Sequence, residues 1–291
     1  VSAFLLNRSS DLLVNRFFAS RKIEGKVKTC TIRRDREGNI WTHIVTDHTP
    51  HEEFPKTGIE MGFDFGSDPF FTDSDGNKWY APAILGKHFA ELRKLDKRIG
   101  RCKDGSKNKE RLYAEKQTIE RRIRDARDNW QLKMAREMCR RFDVMCFEGL
   151  NLAEMGEHNK EKEKDMAPLE KGNMKKWRRK LRDYAPGAFI EKVKWIAKKT
   201  GKTVWIGDKW DATTQKCHEC GYRNKTLKNP KIKKWVCPVC GAVHHRDINA
   251  AKNVLAAYRA WKAEQEKKTS KKVKNDLKGD ESCAGGASSV D

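Results

Sequence analysis

Two short cysteine pairs constrain the fold of this chain more than any other feature. Cys217-His-Glu-Cys220-Gly and Cys237-Pro-Val-Cys240-Gly repeat one pattern, with sixteen residues between Cys220 and Cys237. A gap of two residues lets both thiolates of a tight turn face one ion, and two such turns supply the four ligands of a tetrahedral zinc site. Gly221 and Gly241 stand where each turn needs backbone freedom. The spacing predicts a zinc ribbon whose shell is closed, so its metal is structural and not catalytic. His218, His244 and His245 are then expected in solvent or against phosphate. Cys30, Cys102, Cys139, Cys146 and Cys283 show no pairing pattern and are expected to be ordinary small residues. Paired Cys-x-x-Cys units in a chain this basic read as metal ligands rather than disulfides.

Charge points to the partner. Lysine and arginine number 63 against 41 acidic residues, a formal net charge of +22. Self-repulsion of that size favours an anionic partner. Counterion release makes nucleic acid the leading candidate, whether for an enzyme or for a ribosomal-type basic surface. A membrane is not expected, because no stretch approaches about 18 uncharged apolar residues. The opening run Val1 to Leu6 is too short for a secretory signal and soon meets Arg8.

Periodicity orders the rest. Lys26 to Arg33 and Ile40 to Val45 alternate as a hairpin without an evident core of its own. Ile59 to Phe65, Pro69 to Thr72 and Lys78 to Ala81 read as a three-stranded meander turning at Ser74-Asp-Gly-Asn. From Lys87 to about Phe142 the pattern is helical, with Phe89, Leu92, Leu95 and Ile99 on one face. Lys103 to Asn108 breaks it, and Leu112, Ile119, Ile123, Trp130, Met134 and Met138 continue it. Asp143 to Glu148 is a short buried strand. Glu154 to Lys180 is a polar, charge-rich stretch, expected to be mobile from Gly156 to Lys164. Ala188 to Thr200 is helical, Thr203 to Gly207 a strand, and Asp247 to Glu266 the last helix. The remainder, 267–291, is expected to be a disordered tail. This order predicts an α/β, ribonuclease-H-like mixed sheet with a basic helical hairpin at about 87–142 and an inserted ribbon.

Three acidic residues fall where such a sheet can use them. Asp64 lies in Met61-Gly-Phe-Asp-Phe-Gly, where period two turns Phe63 and Phe65 one way and Asp64 the other. Glu148 ends the fourth strand of that order, next to the first, and Asp247 opens the final helix. Each alone reads equally well as a turn, strand-end or helix-cap residue. Converged, they would repel strongly unless cations lie between them, and two magnesium ions held together by carboxylates hydrolyse phosphodiesters.

Five segments carry a specific resemblance: Gly62-Phe-Asp-Phe-Gly, Phe147-Glu-Gly-Leu-Asn-Leu, Thr213-Thr-Gln-Lys-Cys-His-Glu-Cys-Gly, Trp235-Val-Cys-Pro-Val-Cys-Gly and Arg246-Asp-Ile-Asn-Ala-Ala-Lys-Asn. In this order the chain resembles the nuclease half of the TnpB family of transposon-encoded, RNA-guided DNA endonucleases, and the miniature type V CRISPR effectors. The resemblance implies a RuvC-like site of Asp64, Glu148 and Asp247 holding magnesium, a DNA target and a guide RNA, and a cytoplasmic, nucleoid-associated prokaryotic protein. It implies that Gly105, Ser106 and Lys107 belong to a hairpin running along the guide–target duplex. Arg246, Lys107, Arg111, Arg121 and Arg122 are the candidate nucleic-acid contacts. The implied division is 1–55 as the remnant of a β-rich wedge domain, 56–210 and 246–266 as nuclease, and 211–245 as ribbon. Most of the amino-terminal wedge and recognition region is expected to be missing, which leaves a non-cleaving nucleic-acid-binding protein as the alternative reading. A plain RNA-binding zinc ribbon is a third. Thr213-Thr-Gln stands where the family commonly has Thr-Ser-Gln.

Overall fold

The computed structural model describes residues 2–6, 12–16, 18–20, 22–35, 38–48, 53–149, 168–229 and 232–281. They divide into two units, one of Val1–Glu52 with His88–Arg124 and one of Glu53–Lys87 with Asp125–Asp291. In the first, β1 (Ser2–Leu6) pairs with β2 (Leu12–Arg16), and β3 (Val27–Arg34) with β4 (Ile40–Thr46), both antiparallel. The second of these is the hairpin expected from the alternation. Its apolar side chains Ile40, Trp41 and Val45 are exposed, in keeping with a ribbon that has no core of its own. Asp35 closes its turn by accepting from the Asn39 amide at 2.8 Å and the Trp41 indole at 2.9 Å. The same unit holds most of α1 (Ile84–Ile99) and the first half of α2 (Lys107–Arg141). Leu95 and Ile99 are buried in the one, Leu112, Ile119 and Ile123 in the other, and Lys116 bonds Asp96 across the pair at 2.7 Å.

The second unit is built on a five-stranded sheet. Its strands are β5 (Glu60–Phe65), β6 (Phe71–Asp73), β7 (Lys78–Trp79), β8 (Val144–Phe147) and β9 (Thr203–Ile206). Their spatial order is β7-β6-β5-β8-β9. The meander β5–β6–β7 is antiparallel, whereas β8 and β9 run parallel to β5.

The pleat sorts side chains onto two faces. Met61, Phe63, Met145 and Phe147 point to one face and form the main core with Met138 and Phe142, Phe189 and Val193. Phe63 stacks on Phe147 with ring centroids 5.2 Å apart. That face is covered by the end of α2, by α3 (Pro168–Tyr184) and by α4 (Pro186–Thr200). Gln131, fully buried, secures the joint between the last two by donating to the Tyr184 carbonyl at 2.7 Å. On the opposite face Cys146 and Trp205 meet Val254 and Tyr258 of α5 (Arg246–Glu281). The helix lies so close to β5 that a Cβ at Gly62 would stand 2.2 Å from the Ala251 carbonyl oxygen. Only glycine fits there.

Two readings of the sequence change. The charge-rich stretch is helical from Pro168, because Met174, Trp177, Leu181 and Tyr184 supply one apolar stripe amid the lysines and arginines. Leu181 and Tyr184 are buried there. The expected mobile segment from Gly156 to Lys164 lies outside the described residues. The last helix does not stop near Glu266 but continues to Glu281, so the disordered tail is corrected over 267–281. Lysine, which supplies six of these fifteen residues, is a good helix former, and no proline interrupts them. No described helix is long and apolar enough to cross a membrane.

One ion pair ties the strand ends together. Asp143 accepts from the backbone amide of Gly58 at 2.6 Å and from the Lys202 ammonium at 2.5 Å. The Lys202 hydrogen bond, joined by the Gly58 and Thr57 amides and opposed by burial, holds Asp143 down at about 2. The Lys202 side chain is only 2% exposed, so Asp143→Asn strands a buried cation and is expected to cost about 3 kcal/mol near neutral pH. A depressed carboxylate contributes above its unfolded pKa and loses that contribution as pH falls through the folded one. Urea melts of wild type and variant should therefore converge as pH falls from about 4 to about 2. A separation unchanged over that interval would refute the assignment.

Candidate functional site

In the parallel pair β5–β8, Gly62 lies opposite Cys146 and Phe63 opposite Phe147. One step further along come Asp64 and Glu148, which the pleat sends to the face covered by α5. Asp64 is 9% exposed. Burial, then the charges of Glu148 and of Asp247, hold its carboxyl well above the usual carboxylate range, with Arg246 and Lys233 acting the other way. Burial also raises Glu148, and a hydrogen bond from the Thr213 hydroxyl at 3.1 Å partly offsets it. Asp247 sits in the first turn of α5, where the Lys233 ammonium bonds both its oxygens at 3.1 and 3.0 Å. The expected acids thus face a common region from two strands and a helix. They are not drawn together as tightly as the cysteines, which form the only described group of three or more potential ligands with all donor atoms within 4.8 Å.

The cysteines do close up. Cys217 and Cys240 Sγ are 3.6 Å apart, as are Cys220 and Cys237. Four sulfurs at about 2.3 Å from one tetrahedral ion would be roughly 3.8 Å apart, so the set fits a metal of zinc's size. Each knuckle turns at a glycine with positive φ, Gly221 at 76° and Gly241 at 73°, whose amides bond back to Cys217 and Cys237 carbonyls at 2.9 Å. The second knuckle joins β10 (Lys234–Val236) to β11 (Val243–His245), which runs directly into α5. Leu227 and Trp235 pack against Cys217 and Cys237 in a core of the ribbon's own. His244 departs from expectation. It is buried under Trp235 with its Nε2 3.1 Å from Cys217 Sγ, and burial lowers its pKa.

Several residues that tie ribbon to acids were not singled out from the sequence. Asn249, 1% exposed on α5, accepts from the His218 amide at 3.0 Å and donates to the Lys216 carbonyl at 2.6 Å. One turn on, Asn253 donates to the Thr213 and Lys216 carbonyls at 2.7 and 2.8 Å. Their i, i+4 spacing places both amides on one helix face, a signal present in Asp247-Ile-Asn-Ala-Ala-Lys-Asn but hidden among helix-compatible residues. Arg246 lies beside the acids and donates to the Asn229 carbonyl at 3.3 Å. Lys107, Arg111, Arg121 and Arg122 sit instead on the part of α2 in the first unit, where all but the half-buried Arg121 are exposed.

Comparison with known proteins follows this architecture. Residues 187–254, from α4 through the ribbon into α5, match the family model described as "Cas12f1-like, TNB domain". Residues 43–159 match a second, described as "Probable transposase". A protein of Streptomyces pristinaespiralis named "Putative RNA-guided DNA endonuclease" is 27% identical over 230 residues, which cover 79% of this chain and 52% of that protein. TnpB-like protein L79 of Acanthamoeba polyphaga mimivirus is 26% identical over 239 residues, covering 78% and 43%. Over these segments the chain is similar to TnpB-like proteins. It spans about half the length of the curated relatives it matches. A solved structure titled "Cryo-EM structure of the Cas12f1-sgRNA-target DNA complex" aligns with 78% of it and 44% of the Cas12f1 chain, at 18% identity and a TM-score of 0.48.

Proposed function

We propose that this chain is a member of the TnpB family and carries a ribonuclease-H-like, RuvC-type nuclease centre that hydrolyses DNA phosphodiesters under the direction of an RNA. The observation that carries the proposal is the shared face of Asp64 and Glu148 on adjacent parallel strands, with Asp247 close enough to act on Asp64. The strand order, an antiparallel meander followed by two parallel strands, supports the ribonuclease-H-like part of this reading. An oxygen-only donor set of three acids suits a hard cation, and their mutual repulsion leaves room for positive charge, so magnesium fits Asp64, Glu148 and Asp247. When bound, two such ions would supply water activation and stabilise the leaving oxygen.

The chain's own residues do the positioning. Thr213 orients Glu148, and Asn253 of α5 holds Thr213 in turn. Lys233 and Arg246 are placed to meet the phosphate of the strand being cut. The four cysteines hold zinc, which keeps the ribbon, and with it Lys233, registered on α5. Lys107, Arg111, Arg121 and Arg122 are assigned to the phosphates of a guide–target duplex along the 87–142 hairpin. The division into nuclease and ribbon, a wedge-type β-rich segment at 1–55 and action in the cytoplasm at the nucleoid belong to the same reading.

The test is cleavage by the full chain purified with its co-expressed RNA, on DNA matching that RNA. Cutting is expected with magnesium added and none with it omitted. Binding of the same DNA without cutting at any magnesium concentration would favour the second reading, a nucleic-acid-binding protein that does not cleave. The Lys233 ammonium seated on Asp247 is the observation on that side.

A further inference from the structure

The most exposed tryptophan among the described residues lies in the loop that passes Glu148. Trp210 is 76% exposed, although an indole is the side chain that gains most from burial. It projects from the loop that follows β9, and that loop is fastened to the surroundings of Glu148 at both ends. At one end, Gly149 lies so close that a Cβ on it would stand 2.3 Å from the Gly207 oxygen and 2.7 Å from the Lys209 nitrogen. At the other, Thr213 bonds Glu148 itself. Between them the backbone is set rather than loose. The Asp208 carboxylate accepts from the Trp210 amide at 3.0 Å, and the Thr213 amide donates to the Asp211 carbonyl at 2.9 Å. The Lys209 ammonium lies 4.9 Å from the centre of the Trp210 ring.

We infer that Trp210 is a stacking platform for an unpaired nucleobase of the strand presented to Asp64, Glu148 and Asp247. The inference rests on the nuclease reading for the identity of that strand. An exposed aromatic ring on a hydrogen-bonded loop, beside a cation, is what single-strand binding uses, since every base offers a flat π-face whatever its sequence. The loop that aims Glu148 thereby also seats the base next to the phosphate, and Lys209 meets the backbone charge that comes with it. The preferred substrate at this point is single-stranded, because a base within a duplex keeps its faces covered by its neighbours.

Binding of a labelled thymidine oligonucleotide of about a dozen residues, followed by fluorescence anisotropy with no added magnesium, tests it on the full chain. A backbone of equal length lacking bases serves as the reference. Trp210→Ala should weaken binding of the thymidine strand by roughly 5- to 150-fold, and Trp210→Phe by much less. Neither should change affinity for the abasic strand or the zinc content. Equal weakening on both strands, no weakening on either, or no binding of the thymidine strand by wild type would overturn the inference. Because no step is cut in this assay, it is separable from the nuclease test. Base-dependent binding without cutting would sink the nuclease alone, and cutting that is indifferent to Trp210→Ala would sink the platform alone.

Discussion

On the proposed nuclease reading, Asp64→Asn is expected to abolish DNA cutting while leaving DNA binding in place. The expected fall in cleavage rate is at least about 10³-fold, or roughly 4 kcal/mol of transition-state stabilisation. Asparagine keeps the shape of the side chain, so the β5 register and the packing of Phe63 against Phe147 should not change. What it removes is an ionisable carboxyl whose charged form is opposed by burial and by the charges of Glu148 and Asp247. The same substitution should therefore raise thermal stability measured without magnesium, by on the order of 1 kcal/mol, because a buried acid facing like charges opposes folding. A merely structural aspartate would show the reverse pattern, with stability lost and cutting preserved. Equal cutting by wild type and variant would remove Asp64 from the site.

Cys237→Ser is the second large effect. Serine cannot replace a thiolate, and binding energies of structural zinc reach about 10–16 kcal/mol, so one lost ligand should take zinc from one per chain to near none. The ribbon's core is Leu227 and Trp235 packed on Cys217 and Cys237, too small to persist without the metal. Hydrogen exchange should accelerate from Thr213 to His245 and in the first turns of α5, where Asn249 and Asn253 lose their partners. The sheet should stay protected, since its core of Phe63, Phe147 and Phe189 shares no residue with the ribbon. A variant that still carries one zinc would mean another ligand, and His244, 3.1 Å from Cys217 Sγ, would be the first to examine.

The cysteine knuckles were legible because their geometry is local, set by two-residue gaps and a following glycine. The acids were legible for a different reason. Residues of one parity in β5 and β8 must share a face once the strands are neighbours, and the order of elements makes them neighbours. What escaped depends on contacts distant in sequence. Lys233 reaches Asp247 only because β10 and β11 pair so that the Arg246 amide meets the Lys233 carbonyl at 2.8 Å. His244 is buried by Trp235 across that same hairpin, so composition alone placed it wrongly in solvent. The helix from Pro168 was obscured by its charges, which sit on the solvent side of a stripe only four apolar residues long.

Gly62 has a mechanical consequence. Backbone meets backbone where it faces Ala251, so the spacing of β5 and α5 at that point is set by the two main chains and not by side chains. At 1.5 Å of rise per residue, Asp247 lies about 6 Å along the helix from that contact. With Val254 and Tyr258 packed on the sheet just beyond it, the acid is carried on a length of helix gauged by main chain rather than by the fit of any one side chain.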